Sequence, residues 1–308
     1  LKYGNERDGD DLFQYIISEH HELSLQECFK KFGYAHDLTD TKQSLKLATE
    51  SVIKEFAAEN VIYLELRTTP KTTKSMSKFE YLATVIETIR ECESKYPDII
   101  VKLLPSIDRS KGKQEAEENV ELILKFIEEN NSDIIKGVDL SGNFISTVFS
   151  DFKDVLKTAR DNGLKLALHC GELEDDAEIE EMLNFGLDRI GHGTFIRGKN
   201  LDTVLQEKIP IECCLTSNLR CGTAPSYQEH HFGKLFTLKH PVCICTDDFG
   251  VFNTTLSKEL KLCKASFNLT DEEILQLNKK SVDFCFANAE EKQFLLNKFN
   301  EFCYNNNE

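Results

Sequence analysis

Three short stretches carry residue types that hydrolyse bonds with help from a cation. His169-Cys170-Gly171-Glu172 follows the apolar run 164–168, and Gly191-His192-Gly193 closes a second short segment, 188–191. Far downstream, Asp247-Asp248 ends the apolar run 242–246. Imidazole nitrogens and carboxylate oxygens are zinc ligands, and a zinc-held water reaches a pKa of about 7. A nearby carboxyl adds a proton donor. Each stretch alone is ambiguous. A histidine at a strand end is often structural, and an acidic pair before Thr254 reads equally as a helix cap. Adjacent carboxylates repel, though, and need a cation or hydrogen bonds to stay ionised. Glycines on both sides of His192 let the backbone turn and a ligand approach.

The elements that would position these groups alternate. Helical spacing predicts helices over 24–38 and 41–59, the second with Leu45, Ala48, Val52 and Phe56 on one face. Strand 61–67, helix 77–95 (cap Ser77, capping box with Glu80), strand 99–107, helix 113–129 and strand 134–140 follow. A helix over 149–162, capped by Ser150 or Asp151, precedes the strands 164–168 and 188–191, with a helical segment between them. A helix over 200–208 and strands 209–215 and 242–246 come next, then helices 254–267 and 270–302, with Thr270 and Glu273 as a second capping box. Seven strands alternating with helices mean a parallel α/β sheet. Arg67-Thr68, Asp108-Arg109, Asp139 to Gly142, His169, His192, Ser217-Asn218 and Asp247 all fall at strand C-terminal ends. A barrel gathers every such end into one ring, whereas an open sheet joins only two at its switch point. The fold expected is an α/β TIM (β/α)8-type barrel lacking its first strand, as a single domain over 1–308.

The chain has 308 residues and a net charge of −16, which argues against nucleic-acid or anionic-membrane partners and leaves a small-molecule substrate. No apolar run approaches the ~18 residues of a membrane span. The polar, acidic start (LKYGNERDGDD) does not read as a signal peptide, and the eleven cysteines lack CxxC pairs. The odd cysteine count and the lack of a signal lead to an expectation of a reducing cytosol. Cys170 should point away from the chemistry. His230-His231, if extended, would face opposite sides, so the pair is read as loop structure rather than as shared ligands.

The run HCGE, RIGHG, CTDDFGVFNTTLS resembles the adenosine deaminase family of zinc amidohydrolases. LELRTTPK (64–71), SIDRS (106–110), GVDLSGN (137–143), LTSN (215–218) and HHFG (230–233) are similar to its adenosine deaminase-like branch. That resemblance implies removal of the alkylamino group of N6-methyl-AMP, giving IMP and methylamine. It implies one zinc ion per chain, with His169 and Asp247 as ligands, Glu172 as general acid and His192 orienting the attacking water. Asp248 and Gly142 would hold the purine, and His36, Thr68, Thr69, Pro70, Lys71 and Asp108 would bind the rest of the nucleotide, in a monomer. The family's His-x-His on the first barrel strand is absent. His20-His21 are adjacent residues ahead of a helix, not at a strand end. The missing motif and the missing strand together lead to the expectation of an N-terminally truncated chain whose zinc binds weakly. The alternatives are a deaminase acting on adenosine, or a non-catalytic relative.

Overall fold

A computed structural model describes residues 25–143 and 147–305. His20-His21 lie outside them. Helices α1 (Leu25–Leu38) and α2 (Lys42–Ala58) come first. Strand and helix then alternate: β1 (Tyr63–Thr68), α3 (Lys78–Lys95), β2 (Ile100–Asp108), α4 (Gly112–Asn130), β3 (Gly137–Ser141) and α5 (Lys153–Asp161). The alternation continues through β4 (Lys165–Cys170), α6 (Asp176–Phe185), β5 (Arg189–His192), α7 (Gly198–Glu207) and β6 (Ile211–Cys213). Short helices α8 (Leu215–Arg220) and α9 (Phe232–Thr237) lead to β7 (Val242–Ile244), and α10 (Phe249–Phe252), α11 (Leu256–Phe267), α12 (Asp271–Phe284) and α13 (Ala289–Asn305) follow. Both expected capping boxes form, Ser77 with Glu80 and Thr270 with Glu273.

Among the described residues seven parallel strands lie in the order β1 to β7, each beside its neighbours in sequence. Interior side chains show that the sheet curls. Arg67 of β1 reaches Glu212 of β6 at 2.8 Å, and Arg189 of β5 pairs with Glu65 of β1. Strands four and five places apart touch in this way only when the sheet closes toward a TIM-like barrel, as expected. Among the described residues β1 and β7 do not pair with each other. One continuous apolar cluster, from Leu45 to Leu277, fills the layer between the strands and the outer helices, and Cys213 is part of it.

Three expectations are corrected. Residues 149–152 form a separate 3-10 turn before α5, and neither Ser150 nor Asp151 caps a helix by its side chain. The strand expected over 209–215 ends at Cys213, because Leu215 to Arg220 is helical. The helix expected over 270–302 breaks at 285–288. There Arg189 donates to the Phe284 carbonyl at 3.0 Å, and the Phe286 N–H donates to Glu65 at 2.6 Å. Buried charges inside the barrel take these backbone groups, so the helix cannot use them.

Removing one member of such a buried network leaves the others uncompensated. Arg189→Met should therefore destabilise the chain by about 3–5 kcal/mol, read as a drop in the urea midpoint. An unchanged midpoint would show that Glu65 and Glu212 do not depend on that guanidinium.

Candidate active site

His169 is the penultimate residue of β4, its ring beside the Asp139 carboxylate of β3, Nδ1 to Oδ1 at 2.9 Å. Asp139 is fully buried. It also accepts from the Ser106 hydroxyl of β2 at 3.1 Å, and the Arg67 guanidinium of β1 lies 3.5 Å from Oδ2. Four neighbouring strands thus meet on one carboxylate. Burial opposes charge on the His169 ring, but the Asp139 charge and hydrogen bond outweigh it and raise the pKa to about 10. Burial likewise opposes the Asp139 charge, and His169 and Arg67 hold its carboxyl down at about 2. With Nδ1 committed to a carboxylate, Nε2 is the atom His169 presents to the cleft, the orientation that carboxylates impose on metal-binding histidines.

Next to it, Cys170 pairs in register with His192. The backbone of His192 is left-handed (φ 63°), as is that of Asp247 (φ 54°), conformations that L-residues adopt rarely and that cluster at working sites. A Cβ on Gly191 would stand 3.3 Å from the His169 Cα, so glycine there lets β4 and β5 bring their two histidines to a ring separation of 5.0 Å. The His192 Nε2 lies 3.7 Å from Glu172 and 3.8 Å from Asp247. Asp247 accepts from the Ser217 hydroxyl at 2.7 Å. Asp248 precedes α10 without a side-chain capping bond and stays exposed, so the helix-cap reading of the acidic pair does not hold.

A cleft of about 240 Å³ opens over β3 and β4, lined by Gly142, His169, Gly171 and Glu172 among others. Gly142 (φ 92°) is pressed against Asp108, whose Oδ1 would sit 2.3 Å from any Cβ there. Asp108 accepts from the Ser110 N–H and hydroxyl. Lys71 donates to the His36 carbonyl and, at 3.0 Å, to the Thr39 hydroxyl, tying the end of α1 to the rim after β1. Burial, and then the Lys71 charge, lower the His36 pKa. The Thr68 hydroxyl is bonded to Tyr81 at 2.7 Å, and Pro70 is buried.

His230 and His231 do not face opposite sides, because the segment turns into α9 and is not extended. Their rings stack at 4.3 Å. His230 bonds Asn218 at 2.9 Å, and His231 donates to the His192 carbonyl at 2.7 Å. Asp139, Asn218 and His230 are therefore contacts of the site to which the sequence reading gave no role. An ionisable or amide side chain inside an apolar strand or just past its end was the available signal.

The donor chemistry fits a divalent cation such as zinc. Ligand atoms of His169, Glu172 and His192 lie within 4.8 Å of one another, and so do those of His192, Cys214 and Asp247. Among the described residues, His192 is the one imidazole common to both groups.

Residues 6–302 match the adenosine deaminase family model. The chain belongs to the adenosine deaminase family. It is therefore a hydrolase acting on carbon–nitrogen bonds. The adenosine deaminase-like protein of Drosophila melanogaster is 45% identical over 271 residues, 88% of this chain and 80% of that protein. The human N6-methyl-AMP deaminase is 39% identical over 92% of this chain and 82% of its own length. The structure of an Arabidopsis adenosine deaminase-like protein complexed with IMP has a TM-score of 0.89 and 38% identity, covering 98% of this chain and 89% of that one. None of the described helices is long and apolar enough to cross a membrane.

Burial pushes His230 down to about 2 and His231 down to about 4, so both rings are neutral in the fold. In the unfolded chain each titrates near ~6.5. Between ~6.5 and the folded values the unfolded chain binds more protons, so stability present above ~6.5 is lost as pH falls. The urea midpoint should drop from pH 6.5 to 4, and His230→Gln should shallow that slope by about one proton. An equal slope in the variant would show that His230 is not the group titrating.

Proposed function

We propose that this family member hydrolyses N6-methyl-AMP to IMP and methylamine at a zinc site built on His169 and Asp247. The observation that carries the reading is the Asp139–His169 pair, which leaves the other His169 nitrogen for a cation beside Glu172 and His192. Relatives named N6-methyl-AMP deaminase, and a neighbour of known structure complexed with IMP, support the substrate class. Bound zinc would supply a water acidic enough to be a nucleophile at neutral pH.

The chain's own residues do the rest. Glu172, as the carboxylic acid, hands its proton to the ring nitrogen beside the amino-bearing carbon, which makes that carbon electrophilic. His192 holds the attacking oxygen by a hydrogen bond from its ring. Asp247 accepts the proton that the water loses and passes it to the departing methylamine, and the hydroxyl proton of the adduct restores Glu172. The Gly142 backbone and Asp248 position the purine. Lys71, tied to the end of α1 by its bonds to His36 and Thr39, brings positive charge to the rim for the phosphate, and His36, Thr68, Thr69, Pro70 and Asp108 shape the rim around it. The substrate is a small-molecule nucleotide, with one zinc per chain.

The direct test is zinc content with N6-methyl-AMP turnover, on this chain and on a chimera given a relative's His-x-His strand. About one zinc and turnover in the chimera, with weaker zinc retention in the chain alone, is the expected result. A folded, zinc-loaded chimera that leaves both N6-methyl-AMP and adenosine intact overturns the proposal. Glu172→Gln should lower kcat by about 10²–10⁴-fold. Asp139→Asn should weaken zinc binding about 10–100-fold in chelator competition, because His169 loses its orienting partner. Lys71→Met should raise KM for N6-methyl-AMP and leave that for N6-methyladenosine unchanged. Equal effects on the two would place Lys71 outside phosphate recognition.

A further inference from the structure

A neutral imidazole carries its proton on one nitrogen only, and for His192 a chain of hydrogen bonds decides which. It starts at a group whose role is unambiguous. The backbone N–H of Phe232 can only donate, and it lies 3.1 Å from Nδ1 of His230. Nδ1 of His230 is therefore the acceptor, and the single proton of this buried, neutral ring sits on Nε2. That Nε2 is 2.9 Å from Oδ1 of Asn218. The opposite amide orientation would set two donors against each other, so the Asn218 amide is fixed with Nδ2 toward His192, 3.1 Å from its Nδ1. An amide nitrogen donates and does not accept, so Nδ1 of His192 is the acceptor.

We propose that Asn218 and His230 are positioning residues that hold His192 with its proton on Nε2, the nitrogen turned toward Glu172 and Asp247. The same turn fixes the residue's backbone, because His231 donates from its own Nε2 to the His192 carbonyl at the left-handed position. The segment leading into α9 thus clamps His192 twice, once at the ring by way of Asn218 and once through the main chain. The catalytic meaning rests on the deaminase reading. With Nε2 protonated, His192 donates to the oxygen held between Glu172 and Asp247. It does not take up that oxygen's proton and is not a metal ligand through Nε2, since a ligating nitrogen must be bare. Ligation is left to His169 and Asp247, and proton acceptance to the carboxylates.

The tautomer is read without substrate, from the ring-nitrogen shifts of ¹⁵N-histidine-labelled protein, with His192 assigned through His192→Gln. The expected wild-type signature is a protonated Nε2 and a bare Nδ1. Asn218→Asp keeps the shape but offers only acceptors to both imidazoles, so Nδ1 of His192 should become protonated. Turnover of N6-methyl-AMP in the zinc-loaded protein should then fall about 10²–10⁴-fold in kcat with little change in KM. His230→Gln, whose side-chain amide can still donate to Asn218, should retain the wild-type signature and most of kcat. A bare Nε2 in the wild type, or an Nδ1 that stays bare in Asn218→Asp, overturns the proposal. Wild-type protein with the expected signature but no deamination would sink the functional reading alone and leave the tautomer assignment standing.

Discussion

Asp139 is a carboxylate with no exposure to water, and the working end of the barrel is arranged around the need to keep it ionised. Burying a charge without partners is strongly unfavourable. Its compensation comes from Ser106, Arg67 and His169, which stand on β2, β1 and β4. Ser106 is also its register partner in the sheet. The carboxylate therefore orients His169 and at the same time requires β1 to β4 to close in one particular register. Orientation of a histidine and closure of the sheet are one constraint.

Below that pair the interior continues in charge rather than in hydrocarbon. Arg67 passes from Asp139 to Glu212, Arg189 from Glu212 to Glu65, and Glu65 accepts the Phe286 N–H beyond the floor. Burial works against the Glu212 charge, but Arg67 and Arg189 hold its carboxyl below the usual range. Such a network contributes little net stability compared with apolar packing, yet it is intolerant of partial loss. Here its geometry links the floor, where a helix is broken at 285–288, to the rim, where His169 stands.

The other half of the site is held by backbone strain and by a turn far away in sequence. His192 and Asp247 both adopt left-handed conformations, and each is tied by a residue from beyond β6: Asn218 and His231 for His192, Ser217 for Asp247. Conformations of this kind persist where the surroundings over-determine them.

Much of this was legible in the residues themselves. Apolar runs ending in Arg67-Thr68, Asp108-Arg109, Asp139 to Gly142, His169, His192, Ser217-Asn218 and Asp247 marked seven parallel strands and one polar rim, because hydrophobic periodicity and chain order are local properties. The capping boxes at Ser77 and Thr270 were legible for the same reason. Strand ends such as Cys213 and the break at 285–288 were not. They depend on which backbone groups a distant Arg189 or Glu65 claims. Asp139 and Asn218 read only as further polar residues at strand ends, and His230 as a loop residue. Their contacts with His169 and His192 cross 30 and 26 positions of sequence, or pass through an intermediate side chain. Residue types and strand order determined what chemistry the chain carries and where along it. The tertiary structure alone decided which nitrogen of each histidine faces the cleft, since that choice belongs to partners that stand on, or just past, the neighbouring strand and are far away in sequence.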